Sequence, residues 1–193
     1  FDEPDVTVSK QMTTALLQGT AESTSQEWSL LIDDAGFQVY GHRSSGADSG
    51  ALATALGGFL EDVRSGDYLV VLPYLPAKPA YKSAIETLAV ALRERVEVPV
   101  TVNFGPRYLH STGQLHKGGA SSGVYVIVTM CSDADIAIPG EAFGFSKLNL
   151  AQAEGDYRVL ASLERRVMRI HLLQSDTVAN LPGQLLDQTT GGQ

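Results

Sequence analysis

The spacing of apolar residues along the chain alternates between helical and strand-like patterns. Four segments repeat apolar positions every three or four residues, as a helix with one buried face does: residues 4–18, 50–64, 79–95 and 145–163. Shorter apolar runs predict strands over residues 28–32, 37–40, 67–75, 98–104, 124–130 and 167–172, of which 124–130 is strongly β-branched. Gly155 lies inside the fourth helical segment, where we expect an interruption.

Strands that alternate with helices predict an α/β protein. We expect a three-layer sandwich with a mainly parallel sheet, plus an N-terminal helix. Residues 20–175 are predicted to form one C-terminal α/β domain, and the helix within residues 1–19 can belong to a neighbouring domain. Because the periodicity weakens after Leu173, residues 176–193 are predicted to form a weakly ordered tail.

The N-terminal helix has one apolar face and a second side that carries a lysine. Pro4 suits its first turn, and Gly19 suits its end. The face predicted to meet the core consists of Val8, Met12, Ala15 and Leu16. Lys10 falls on the opposite side, with Val6 and Leu17 beside it at helical spacing. Since a solvated side has no need of two apolar neighbours, we infer that another domain covers it.

Composition and charge exclude several classes of partner. The net charge of −8 and the pI of about 4.9 disfavour nucleic acid, whose phosphates require a basic face. No apolar stretch approaches the roughly 20 residues that cross a bilayer, so we expect no membrane partner. The single cysteine, Cys131, follows an apolar run and is predicted to be a buried, inert thiol. It cannot form an internal disulfide, which favours a cytoplasmic protein.

One stretch of the chain is basic although the protein is acidic. No Asp or Glu occurs between Glu97 and Asp133, and residues 103–123 follow a strand end, where α/β sheets bind ligands. We therefore predict an anion site there, with the candidate residues Arg107, His110, Ser111, Thr112, Gln114, His116 and Lys117. The alternative is a long loop whose polar side chains cap its own backbone.

Other chemistry has weaker support in the sequence. His110 and His116 are six residues apart, which does not match helical zinc pairing, and no phosphate-binding glycine motif occurs. We therefore expect no metal and no cofactor. His171 ends an apolar strand and is predicted to be a packed histidine rather than a base. The acid pairs at turns are predicted to be solvated: Asp33 with Asp34, and Asp133 with Asp135.

Two motifs carry a resemblance to a known family. The first ten residues, Phe-Asp-Glu-Pro-Asp-Val-Thr-Val-Ser-Lys, resemble the second signature of phosphoglucose isomerases. Phe1, Asp2, Val6 and Lys10 match that signature, whereas Glu3, Asp5 and Thr7 depart from it. Residues 105–119, Gly-Pro-Arg-Tyr-Leu-His-Ser-Thr-Gly-Gln-Leu-His-Lys-Gly-Gly, resemble the C-terminal region of fused transaldolase/phosphoglucose isomerase proteins. That motif departs after Gly119, where Ala120 stands in place of the expected proline.

Further segments fit the same family and extend the resemblance over nearly all of residues 1–172. They are residues 66–68, 74–76, 138–140, 151–153 and 165–172. In the family this second signature lies near the end of the catalytic domain, whereas here it opens the chain. We therefore expect this chain to be the C-terminal part of a larger enzyme.

The resemblance implies interconversion of glucose 6-phosphate and fructose 6-phosphate, a step shared by glycolysis, gluconeogenesis and the pentose phosphate pathway. In the family a Glu moves the proton through an enediol, and a lysine, with a histidine, assists ring opening; Lys10 matches that lysine. The Glu, the phosphate-binding loop and the transaldolase lysine would precede Phe1, so the isolated chain is expected to be inactive. The implied partners are a sugar phosphate and the upstream isomerase domain.

Two other functions remain open. The chain can be a non-catalytic scaffold that docks enzymatic domains, with the basic stretch as a contact surface. It can also be a regulatory domain that binds sugar phosphate through Arg107, His110, Ser111, Thr112 and Lys117.

Overall fold

A computed structural model describes residues 4–20, 28–34, 36–42 and 52–186 of the chain. The helices are α1 Pro4–Gln18, α2 Leu52–Glu61, α3 Pro79–Arg95, α4 Gly113–Gly118, α5 Phe145–Ser162 and α6 Thr177–Leu186. The strands are β1 Trp28–Asp33, β2 Phe37–His42, β3 Tyr68–Tyr74, β4 Val100–Val102, β5 Gly123–Met130 and β6 Arg166–Leu172. A 3₁₀ turn spans Arg107–His110.

The six strands form one sheet in the order β1-β2-β6-β5-β3-β4. Strands β6, β5, β3 and β4 are parallel, whereas β2 is antiparallel to β6, and β1 to β2. One face packs against α2, α3 and α6 and the other against α5 and the 3₁₀ turn, while α1 contacts α5 and α4. The structure confirms the predicted α/β fold with a mainly parallel sheet and an N-terminal helix.

Two neighbouring interior strands, β3 and β5, are buried because helices cover both faces of the sheet. Every residue of β5 is buried, as are all residues of β3 except Tyr68 at its start. Their continuous apolar runs therefore match strands enclosed on both sides.

The direction of the chain reverses beside β3. From β3 the chain crosses over to β4 on one side, and it then returns past β3 to form β5 on the other side. The connections that leave the carboxyl ends of β3 and β5 therefore run in opposite directions. This makes the crevice between the two ends a topological switch point, the place where open α/β sheets bind ligands.

Helix α5 is continuous through Gly155, so the predicted interruption is wrong. Gly155 is instead the point where α1 packs against α5. A Cβ atom there would lie 2.9 Å from Thr13 Oγ1 and 3.3 Å from the backbone oxygen of Ser9. The glycine allows the two helices to approach closely, and this contact offsets its low helix propensity.

The bounds predicted for α1 are confirmed, but the predicted core face is partly wrong. Gly19 ends the helix with a φ of +70°, as its lack of a Cβ permits. Among its described side chains, Ser9 and Thr13 are buried, whereas Val8 is 44% exposed. Small residues occupy the contact because α1 lies so close to Gly155.

The chain after Leu173 contains a helix, so the weakly ordered tail predicted for residues 176–193 is wrong over Thr177–Leu186. Val178, Leu181 and Leu185 of α6 are buried in the core against α3 and α2. Pro182 inside the helix interrupts the sequence signal without preventing the packing. The rest of that segment, residues 187–193, lies outside the described residues.

Replacing Gly155 should weaken the packing of α1. We expect Gly155→Leu to lower the free energy of unfolding by about 2 kcal/mol or more, because the new side chain overlaps the α1 backbone. Gly183→Leu in α6 is the matched control, since a Cβ atom there meets nothing within 4 Å. Urea unfolding measures both variants, and equal effects would contradict the proposed close contact.

Candidate functional site

The motif at residues 105–119 forms the crossover between β4 and β5. Its first residue, Gly105, donates its N–H to the Pro73 carbonyl at 3.0 Å. A Cβ atom on Gly105 would lie 2.6 Å from the Tyr74 ring, so only glycine fits there. The Gly105–Pro106 peptide is cis. The crossover then continues through the 3₁₀ turn into α4.

The side of the crossover that faces solvent carries three of the predicted site residues. Arg107, His110 and Ser111 are exposed. Arg107 and His110 are the first and last residues of the 3₁₀ turn, and residues three apart in such a turn lie on the same side. The Ser111 hydroxyl donates to the Tyr108 carbonyl at 3.2 Å.

The opposite side of the crossover packs into the core. Tyr108 is buried, and its hydroxyl accepts a hydrogen bond from the Tyr74 hydroxyl at 3.2 Å. The His116 ring lies between Tyr108 and Tyr125, with centroid distances of 5.6 and 5.2 Å. Burial, and secondarily the neighbouring Lys117 ammonium, lower the pKa of His116 to about 4. The imidazole is therefore neutral at neutral pH.

A fully buried ion pair joins α4 to α5. Lys117 Nζ lies 2.5 Å from Asp156 Oδ1, and both side chains have zero relative exposure. Burial raises the pKa of the Asp156 carboxyl, because the interior disfavours an unpaired charge. The carboxylate is stable there only in contact with the ammonium, so each partner depends on the other.

Arg165 holds the carboxyl end of α4. One of its nitrogens, Nη2, donates to the carbonyls of Lys117 at 2.5 Å and Gly119 at 2.6 Å, and Nη1 donates to Ser121 Oγ at 2.7 Å. The Tyr125 hydroxyl donates to the His116 carbonyl at 3.1 Å. These bonds satisfy carbonyl groups that a helix end leaves without partners.

Two other family-like segments meet each other. Arg166 binds Asp67 with both ends of its guanidinium, at 2.6 and 2.8 Å. This contact, together with the N–H of Arg64, lowers the pKa of the Asp67 carboxyl against a smaller opposing effect of burial. These residues therefore join β6 to the start of β3, which is a structural role.

The structure divides the predicted anion site into an outer and an inner group. Arg107, His110 and Ser111 face solvent, and Thr112 and Gln114 are half-buried. His116 and Lys117 are only 3% and 2% exposed, so the structure does not bring them to the outer group. Their polar atoms are used inside the fold, because the crossover turns them towards α5 and β5.

Lys10 is exposed on the outer side of α1. Its backbone carbonyl accepts a hydrogen bond from the Thr14 hydroxyl at 3.0 Å, and its ammonium has no ion pair within the described residues. Two apolar side chains are exposed on α1 and on the α4 helix that it contacts: Val8 at 44% and Leu115 at 59%.

A crevice of about 470 Å³ opens at the switch point between β3 and β5. Its lining includes Tyr74, Lys78, Met130, Ser132, Asp133, Ile136, Phe145, Ser146 and Asn149. Several of its polar groups already have protein partners. Ser132 Oγ donates to the Ala134 carbonyl at 2.6 Å, and Asp133 accepts from Ser175 Oγ at 2.5 Å.

The positive end of α5 is also satisfied by the protein itself. Asp135 accepts the Ser146 N–H at 2.7 Å, and this bond lowers the pKa of its carboxyl. Asp133 and Asp135, predicted as solvated turn residues, are exposed as expected but also cap neighbouring groups. The α5 end is therefore closed to an external anion.

Cys131 and His171 contact each other at the ends of β5 and β6. His171 Nδ1 lies 2.9 Å from Thr129 Oγ1, and Nε2 lies 3.4 Å from the Cys131 sulfur. Burial lowers the pKa of His171. Cys131 is half-buried, so the predicted burial of its thiol is wrong.

Neither a metal cluster nor a membrane-crossing helix occurs in the described ranges. In the part of the chain that the structure describes, no group of three or more His, Cys, Asp or Glu side chains is placed to hold a metal ion. Within the same ranges, no helix combines the length and the hydrophobicity that crossing a membrane requires.

Sequence reasoning missed Asp156 and Arg165, which hold the crossover in place. The signal for Asp156 was available: it lies three residues after Ala153 and four before Leu160, within the buried stripe of α5. A carboxylate in an apolar stripe indicates a buried partner. Nothing local marked Lys117 as that partner.

Breaking the buried ion pair should be costly. We expect Lys117→Met or Asp156→Leu alone to lower the free energy of unfolding by about 3–5 kcal/mol, because each leaves a buried charge unpaired. The double variant should recover most of that loss. Lys82→Met is the control, since its pair with Glu86 is 3.6 Å long and exposed. Urea unfolding measures all four variants. If the single variants lose no more free energy of unfolding than Lys82→Met does, the proposed role of the buried pair is contradicted.

The buried imidazole should make stability depend on pH. The pKa of His116 falls from 6.5 to about 4 on folding, so the unfolded chain takes up the proton first. Stability should therefore fall as the pH drops from about 6.5 to 4, by up to about 3 kcal/mol from this group. We expect His116→Phe to reduce this slope in urea unfolding, and exposed His110→Phe to preserve it. An unchanged slope in His116→Phe would refute the assignment.

Comparison with known proteins identifies a fold but no family. No family model matches the chain, and no curated protein matches it significantly. Among solved structures, it is similar to a hypothetical protein, TT0462, from Thermus thermophilus, with a TM-score of 0.54 and 20% identity. The match covers 72% of this chain and 38% of that protein, so this chain spans well under half of its length. At this identity, the likeness shows the fold alone.

Proposed function

We propose that the chain is the C-terminal part of a glucose-6-phosphate isomerase module in a transaldolase/isomerase fusion. The observation that carries the proposal is the placement of Lys10, which matches the lysine of the isomerase signature. It lies exposed on α1, and α1 contacts α4 of the second family-like motif. Both resembling segments thus belong to one packed unit.

The packing of α1 suits a catalytic lysine. Ser9 and Thr13 fix the inner side of the helix against Gly155, so the backbone that carries Lys10 is held in place. A positioned ammonium can donate a hydrogen bond to the oxygen that becomes an alkoxide when the sugar ring opens. Lys10 supplies this group in the proposed mechanism.

The proposed partner is the upstream isomerase domain, and the proposed substrate is a sugar phosphate. The exposed Val8 on α1 and Leu115 on α4 provide apolar side chains that such a domain can cover. The glutamate that moves the proton between C1 and C2 would come from that domain. A cytoplasmic location follows from the proposed place in sugar-phosphate metabolism.

A non-catalytic scaffold is the second candidate. It is favoured by the inner half of the crossover motif, because Gly105, His116 and Lys117 all serve to hold the crossover against the sheet. In a scaffold, the exposed side of α1 would dock a neighbouring domain without touching substrate. Substitution of Lys10 separates the two candidates.

Lys10→Ala should abolish most isomerase activity in the protein that includes the upstream domain. Loss of a positioned proton donor typically lowers the rate by about 10² to 10⁴-fold, and we expect a fall in kcat of that order. A coupled assay of fructose 6-phosphate conversion measures it. Lys82→Ala, which removes an exposed lysine on α3, is the control. Full activity in Lys10→Ala would favour the scaffold.

The chain of 193 residues alone should show no isomerase turnover in the same assay. The reason is chemical: without the proton-transferring glutamate, the lysine can assist ring opening only. Robust turnover by the isolated chain would contradict the proposed division of the active site.

A further inference from the structure

The 3₁₀ turn of the crossover presents an arginine and a histidine that have no side-chain partner among the described residues. Arg107 and His110 are exposed, and neither takes part in an ion pair or a side-chain hydrogen bond within the described residues. Their separation of three residues places both on one side of the turn. The guanidinium and the imidazole can therefore approach the same external group.

The charge around this turn favours an anion. Residues 98–132 contain no Asp or Glu, although the whole chain carries 22 of them. The acid that packs beneath the crossover, Asp156, is neutralised by the buried Lys117. No carboxylate of the crossover itself therefore offsets the positive charge of Arg107. The crossover is a basic region in a protein whose net charge is −8.

The turn is held in its shape from below. Tyr108, between the two exposed residues, is 4% exposed, and its ring packs edge-on against Tyr74 at 6.0 Å. The N–H of Ser111 donates to the Tyr108 carbonyl at 3.0 Å, and that of Leu109 to the Pro106 carbonyl at 3.1 Å. A backbone that is already ordered loses little entropy when a ligand binds.

We propose that the outer side of this turn binds a phosphoryl group through Arg107 and His110. A guanidinium matches the geometry of phosphate oxygens with two parallel hydrogen bonds, and the imidazole adds a further N–H donor. The Ser111 hydroxyl is already donating to Tyr108, so it is available only as an acceptor. The site keeps Arg107 and His110 from the predicted set and excludes Thr112, Gln114, His116 and Lys117.

This binding site does not depend on the proposed isomerase function, because it consists of residues other than Lys10. Failure of the isomerase assay would leave the site intact. Absence of phosphate binding would leave the role of Lys10 unchanged. The two proposals can therefore fail separately.

Titration of the chain with glucose 6-phosphate, inorganic phosphate and glucose tests the proposal. Binding is measured by ¹H–¹⁵N NMR in about 0.15 M salt, where interactions between exposed charges are largely screened. Glucose 6-phosphate should bind saturably, whereas glucose should not bind. Arg107→Gln and His110→Gln should each weaken binding by about tenfold or more. Arg93→Gln, which removes an exposed arginine from α3, should leave it unchanged.

Each other outcome also decides the question. Inorganic phosphate that binds as tightly as the sugar phosphate, with the same sensitivity to Arg107, supports a site for the phosphoryl group alone. Three results would overturn the proposal: no saturable binding of either phosphate compound, equal binding of glucose, or equal weakening by Arg93→Gln. Because both substituted side chains are exposed, urea unfolding should show that the variants remain folded.

Discussion

The contact between Lys117 and Asp156 is the interaction on which the arrangement of this protein depends. Two opposite charges, 2.5 Å apart and fully buried, cannot separate without leaving a charge unpaired in the core. The pair fixes α4 against α5 and so sets the orientation of the whole crossover. It decides which residues of the motif face inward and which face solvent.

Helix α5 contacts both α1 and the α4 helix of the crossover. Gly155 accepts the close approach of α1, and the next residue, Asp156, pairs with Lys117 of α4. One turn of α5 therefore positions both α1, which carries Lys10, and α4, which follows the Arg107–His110 turn. In each segment, buried residues flank the exposed residues that we propose to be functional. The buried residues hold the backbone in place, so the exposed side chains are positioned before a ligand binds.

Most of the fold could be predicted from local patterns. The bounds of α1 and α3 match the prediction, and the apolar runs of β3 and β5 appear as buried interior strands. The two helices pack along one side, which gives a helical period, whereas the strands are covered on both faces, which gives continuous apolar runs. The continuity of α5 through Gly155 and the presence of α6 were missed, since both are stabilised by contacts with helices distant in the sequence.

The sequence by itself determined the alternation of helices and strands, and with it the α/β class, as well as the acid-free stretch and the motifs around Lys10 and the crossover. Only the tertiary structure decided that Lys117 and His116 are buried while Arg107 and His110 are exposed. The physical reason is that a buried charge requires a partner at contact distance. That partner, Asp156, comes from another helix, and no local spacing specifies a contact between two segments that only folding brings together.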